Sequence, residues 1–153
     1  MTPPQLQARI AAELLRIEDP QERLAYVLDR VKKNPRIDDS LRSEDRLLRG
    51  CATKVWLLAE HTPKGTCSFQ VDSESAMVRG LASLITEVYA DCAPGDIVRF
   101  DCTVLSEARL ERCITPTRLL GLAQLQRTIQ AFARESLSDS GSPASPRANP
   151  SPN

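Results

Sequence analysis

An α+β fold is predicted by three observations. Two amphipathic helical stretches open the chain, two short β-favouring apolar runs follow around a Pro/Gly loop, and helical periodicity returns after residue 72. The expected architecture is an N-terminal αα-hairpin, then a small antiparallel sheet of about three strands packed by C-terminal helices.

Thr2-Pro3-Pro4-Gln5 starts the first helix, with Thr as cap, Pro in the first turn and Gln three residues after the cap. Leu6, Ile10, Leu14 and Ile17 follow at helical spacing as one apolar face. Asp19-Pro20-Gln21-Glu22 repeats the start signal, Leu24, Val27, Leu28 and Val31 form the second face, and Asn34-Pro35 stops it. From Arg36 to Arg46 the chain is polar and irregular, with Ile37 and Leu41 as its anchors.

The period then changes. Val55-Trp56-Leu57-Leu58-Ala59 is a β-favouring run ended by His61-Thr62-Pro63-Lys64-Gly65, and Cys67, Phe69 and Val71 alternate in the next run. Arg46–Arg49 supplies a candidate third strand. Asp72-Ser73-Glu74-Ser75 reads as the cap of a third helix whose inner face is Met77, Leu81, Leu84, Ile85 and Val88. Ala93-Pro94-Gly95-Asp96 reads as its end, Ile97–Phe100 as an extended segment, and a short helix is expected from about Val104. Thr115-Pro116 opens the last helix, with Leu122, Leu125, Ile129 and Phe132 inward. The domain is expected over residues 1–135, and the Ser/Pro-rich residues 136–153 are expected to be a disordered tail.

Composition narrows the function. Lys plus Arg and Asp plus Glu both number 20 in 153 residues, so the net charge is zero. That balance argues against a general nucleic-acid or anionic-membrane binder. Aromatics are only 4%, too few for a base-stacking platform. No apolar stretch is long enough for a membrane span, and the N-terminus lacks the basic-then-apolar form of a secretory signal. The expectation is a cytoplasmic monomer with no nucleic-acid or membrane partner.

Cys51, Cys67, Cys92, Cys102 and Cys113 are odd in number and form no C-x-x-C pair, and His61 is the only histidine. This spacing suits neither a zinc site nor an iron–sulfur ligand run. Most free cysteines are small buried hydrophobes. Cys51 differs, because in Arg49-Gly50-Cys51-Ala52-Thr53-Lys54 it follows a glycine at the entry to a β run with two cations nearby. Glycine permits a tight turn and close approach by a partner, and cations favour the thiolate.

With these residues the chain resembles the SufE-like sulfur acceptors of iron–sulfur cluster assembly. The resemblance runs in order through Gly50-Cys51 leading to Val55-Trp56-Leu57, Asp72-Ser73, and Val78-Arg79-Gly80-Leu81. It continues through Asp96-Ile97-Val98 after Pro94, then Thr115-Pro116-Thr117-Arg118 and Gly121-Leu122, spanning roughly residues 5 to 135. Two departures stand out. Val71 replaces the glycine usual before Asp-Ser, and Leu119 and Leu120 intervene before Gly121.

The resemblance implies that Cys51 accepts sulfur from the persulfide of a cysteine desulfurase of the SufS or CsdA type. The sulfur then passes to a SufBCD-type scaffold. The only covalent state implied is a transient cysteine persulfide. Pyridoxal phosphate is expected on the desulfurase, and neither a cofactor nor a metal on this chain, so it is expected to be a carrier and activator rather than a stand-alone enzyme. The family shelters this cysteine in an apolar pocket, which would raise its pKa against the pull of the local cations. Arg118 matches the family's Thr-Pro-x-Arg motif, either holding the cysteine loop or contacting the desulfurase, or else pairing with a nearby carboxylate. Arg49, Gly50, Asp72 and Ser73 are the remaining candidates for loop-holding or partner contact, with a helix cap as the plainer role of Asp72-Ser73. Trp56 reads as packing beside a strand, His61 as solvated, and Arg79-Gly80 as close helix packing with an exposed basic tip. The alternative function is a metal or cluster scaffold of NifU/IscU-like fold, which would need about three converging ligands; Cys67, on the strand paired with the Cys51 segment, leaves a two-thiolate site open. A thiol enzyme would need a histidine base or a resolving cysteine.

Overall fold

In the computed structural model, which describes residues 1–141, the chain opens with α1 (Pro3–Leu15) and α2 (Pro20–Val31). Gln5 Oε1 accepts a hydrogen bond from the Thr2 amide at 2.9 Å, closing the start of α1 as its sequence predicts. Leu6, Ile10 and Leu14 are buried, as are Leu24, Val27 and Val31 of α2, so the αα-hairpin forms through its two apolar faces. Arg23 is also buried, and its guanidinium donates to the Leu14, Ile17 and Glu18 carbonyls at the end of α1 and to Ala108 O. These acceptors lie at the end of α1 and at Ala108, so one side chain fastens the hairpin to a later part of the chain.

β1 (Val55–His61) and β2 (Cys67–Ser73) pair antiparallel, from Val55 opposite Ser73 to His61 opposite Cys67. Gly65, at φ +82°, closes the turn between them. The sheet has two strands rather than three. The expected strand at Arg46–Arg49 reduces to a single bridge, Leu47 to Trp56, supported by the Leu48 amide donating to Val55 O at 2.8 Å. A 3-10 turn at Glu44–Arg46 before it and the turn at Gly50 after it leave no length for a strand.

α3 (Ala76–Val88) is central: Leu81, Leu84 and Val88 are completely buried, and the helix packs against α1, α2, β2 and the last helix, α6 (Pro116–Gly141). Its cap is Ser75, whose Oγ accepts from the Val78 amide at 3.2 Å. Asp72 and Ser73 therefore do not cap it; both belong to β2. Gly80 allows the approach of α2, because a Cβ there would lie 2.8 Å from Leu28 Cδ2. The Arg79 tip, expected to be exposed, is buried, and its Nη2 donates to Asn34 O at 2.8 Å.

The segment expected to be extended at Ile97–Phe100 is instead preceded and partly occupied by α4 (Pro94–Val98), since Pro94 takes the first helical position and starts a helix rather than ending one. α5 (Val104–Glu107) begins where expected. α6 (Pro116–Gly141) starts at the Thr-Pro signal but continues past residue 135. His61 stacks on Phe132 with ring centroids 4.8 Å apart, and buried Ser136 donates to Phe132 O at 2.9 Å, so this turn still has a surface to pack on. Thus 136–141 are helical, and the rest of the expected tail, 142–153, lies outside the described residues. Among the described residues no helix is long and apolar enough to cross a membrane.

Candidate functional site

Gly50 adopts φ +81°, a left-handed conformation that side chains disfavour, and turns the chain so that Cys51 meets α6 just before β1 begins. The Cys51 thiol lies 3.7 Å from the Gly121 carbonyl, a weak sulfur-to-oxygen hydrogen bond between segments far apart in sequence. Beside the thiol is a cavity of about 20 Å³ whose apolar lining includes Val55, Val78, Ala82, Leu122 and Leu125. A space of roughly this size admits about one water-sized guest. One added sulfur atom is of that order.

Burial pushes the Cys51 thiol above its ordinary pKa. Arg49 and Lys54, the cations flanking it in sequence, are both exposed. Arg118 is nearer the chemistry, because it lines the same cavity together with Thr117. Its Nη1 contacts Met77 Sδ at 3.3 Å, and among the described residues no carboxylate pairs with it. Of the two readings of Arg118, pairing with a carboxylate finds no partner.

Ser73 and Asp72 hold this site from behind. Ser73 Oγ donates to the Lys54 carbonyl at 2.8 Å and accepts from the Ser75 amide at 3.2 Å, joining the Cys51 segment to the start of α3. Asp72 is fully buried and accepts from Arg36 Nε at 2.8 Å, Arg42 Nη2 at 2.7 Å, Ile37 N at 3.0 Å and Ser73 N at 2.8 Å. Burial alone would raise its pKa, but these donors outweigh burial and hold the carboxyl below the usual range. Arg79 Nε lies 3.4 Å from Asp72 Oδ1, an ion-pair distance without hydrogen-bond alignment. Arg42 also lies over the Trp56 ring, 5.3 Å from its centroid, so buried Trp56 is part of the packing, as expected.

The remaining cysteines are elsewhere. Cys67 pairs with His61 at the far end of the hairpin, about 20 Å along seven-residue strands from Val55, where the Cys51 segment enters β1. That separation removes the two-thiolate site left open by the sequence. Burial pushes Cys92 and Cys102 up to about 11. Among the described residues no three His, Cys, Asp or Glu side chains cluster as a metal site. Sequence reasoning finds Cys51, Arg118 and the flanking residues but misses Met77 and the spatial role of Gly121. A glycine inside a helical pattern is the one available signal for the latter.

A family model described as "SufE: Fe-S metabolism associated domain" matches residues 8–133. Among solved structures, the chain is similar to the solution structure of a hypothetical protein from Thermus thermophilus, with a TM-score of 0.71 and 21% identity. That match covers 90% of this chain and 99% of the other, a likeness of fold.

Proposed function

The chain belongs to the SufE family, a domain associated with Fe–S metabolism, and from that membership we propose that it is a sulfur acceptor working through Cys51. Its donor is a cysteine desulfurase of the SufS or CsdA type, and its recipient a SufBCD-type scaffold for iron–sulfur clusters. The observation that carries this reading is the Cys51 thiol placed beside an apolar cavity with room for about one further atom.

The step is thiol exchange. The Cys51 thiolate attacks the outer sulfur of the desulfurase persulfide; a new S–S bond forms to Cys51, the desulfurase S–S bond breaks, and its thiolate leaves. The sulfane sulfur is transferred with no net oxidation, so neither an oxidant nor a metal is required. At rest the half-buried thiol, raised above its ordinary pKa, stays protonated, which lowers its reactivity toward chance electrophiles. On docking, displacement of the loop at Gly50 exposes Cys51, and Arg118, the cation on the cavity, favours the thiolate. In the loaded state the apolar walls shield the persulfide from the reductants of a cytoplasmic compartment. The protein is therefore a carrier and activator whose partner performs the carbon–sulfur cleavage.

Alanine release from cysteine by a desulfurase of this type, measured with and without the protein, tests the proposal. Stimulation that Cys51→Ala abolishes is expected; equal stimulation by the variant contradicts it.

A further inference from the structure

We propose that Gly121 is a positioning residue that keeps the Cys51 thiol in its sheltered place, so that the position of the reactive sulfur is set by the missing side chain at 121. Glycine is among the least favoured residues within a helix, yet Gly121 lies inside the 26-residue α6. Its φ is not in the left-handed region, which among the described glycines only Gly50 and Gly65 occupy. Backbone conformation therefore does not require glycine at 121. Space does. The three nearest atoms to a Cβ built there all belong to Cys51: Sγ at 3.3 Å, Cβ at 3.8 Å and Cα at 3.9 Å.

An added methyl at 3.3 Å from sulfur is tighter than an ordinary van der Waals contact, so one side must give. α6 is held along its length by buried Leu122, Leu125 and Ile129. Cys51, by contrast, is on a loop between exposed Gly50 and exposed Ala52. The loop gives, and the thiol moves outward. The methyl also takes up part of the 20 Å³ cavity, which Gly121 itself lines. The placement of the thiol stands on this geometry alone, while its consequence for sulfur storage rests on the acceptor role proposed above. Gly121→Ala would then make a carrier whose thiol is exposed without its partner, and whose persulfide loses sulfur to reductant sooner.

The test uses the free full-length protein and iodoacetamide, with alkylation followed at the Cys51 peptide by mass spectrometry. Gly121→Ala is expected to alkylate several-fold faster than wild type, with the midpoint of its pH–rate profile shifted down toward that of an ordinary thiol. A thermal cycle guards against a merely structural effect. Gly121→Ala should raise Tm in a Cys51→Ala background, where only helix propensity is changed, and should raise it less or lower it when Cys51 is present. A variant that folds only in the Cys51→Ala background likewise supports the proposal. Unchanged alkylation rate and pH midpoint, with the same Tm change in both backgrounds, would overturn it. No desulfurase enters these measurements, so they stand apart from any failure of the sulfur-acceptor reading.

Discussion

Ser73 Oγ donates to the Lys54 carbonyl at 2.8 Å, fastening the end of β2 to the segment that carries Cys51. The bond ties the loop's position to a buried strand residue as well as to the loop's own contact between Cys51 and Gly121. Ser73→Ala leaves that carbonyl without its side-chain donor. The expected result is a stability loss of about 1 kcal/mol together with faster alkylation of Cys51, read by thermal melting and peptide mass. Loss of stability with unchanged Cys51 reactivity would show that Ser73 supports the fold and not the loop.

Asp72 organises the chain behind the same loop by gathering Arg36, Arg42 and two backbone amides. Its folded carboxyl is held below its unfolded value, so the contribution to stability is fully present above about pH 4 and is lost as pH falls through the folded pKa. Asp72→Asn should lower stability by about 3 kcal/mol at neutral pH and flatten the acid limb of a stability–pH curve. A variant with an unchanged acid limb would assign that limb to other carboxylates.

Arg118 lines the Cys51 cavity with no carboxylate partner among the described residues. Arg118→Ala is expected to slow sulfur uptake roughly tenfold, a transition-state loss of about 1.4 kcal/mol, with little change in Tm. Arg118→Lys, which keeps the charge, should recover part of the rate. A rate equal to wild type in both variants would remove Arg118 from the mechanism.

Thiol counting separates Cys51 from its neighbours. With Cys92 and Cys102 pushed up to about 11, only on the order of one molecule in a thousand carries either thiolate at pH 8. Cys67 is fully buried and is also raised by burial. Of the three half-buried cysteines, Cys51, Cys102 and Cys113, labelling of the folded protein should therefore favour Cys51 and Cys113 over Cys102, and Cys51→Ala should remove one label. Labelling of Cys92 or Cys102 as fast as that of Cys51 would contradict the upward shift of their thiols.

The αα-hairpin, the β1–β2 hairpin and the Thr-Pro start of α6 are legible in the sequence because each is a local pattern of spacing and capping. The Gly50-Cys51 to Val55-Trp56 run is equally legible, and the family resemblance drawn from it is borne out by the match over residues 8–133. α4 escapes a sequence reading because Pro-Gly is both a stop signal and a proline at a helix start, and only tertiary packing decides between them. Asp72 resembles a cap in sequence because its partners come from residues 36, 42 and 79, which no local window contains. The space at Gly121 belongs to the same class: its reason is a thiol 70 residues away in the chain.

The most direct test of Cys51 as sulfur acceptor is the intact mass of the protein after incubation with a cysteine desulfurase and free cysteine, beside Cys51→Ala. The predicted result is a gain of one sulfur atom that reductant removes and the variant never acquires. No gain with a competent desulfurase, or an equal gain by Cys51→Ala, would contradict the assignment of Cys51 as the acceptor.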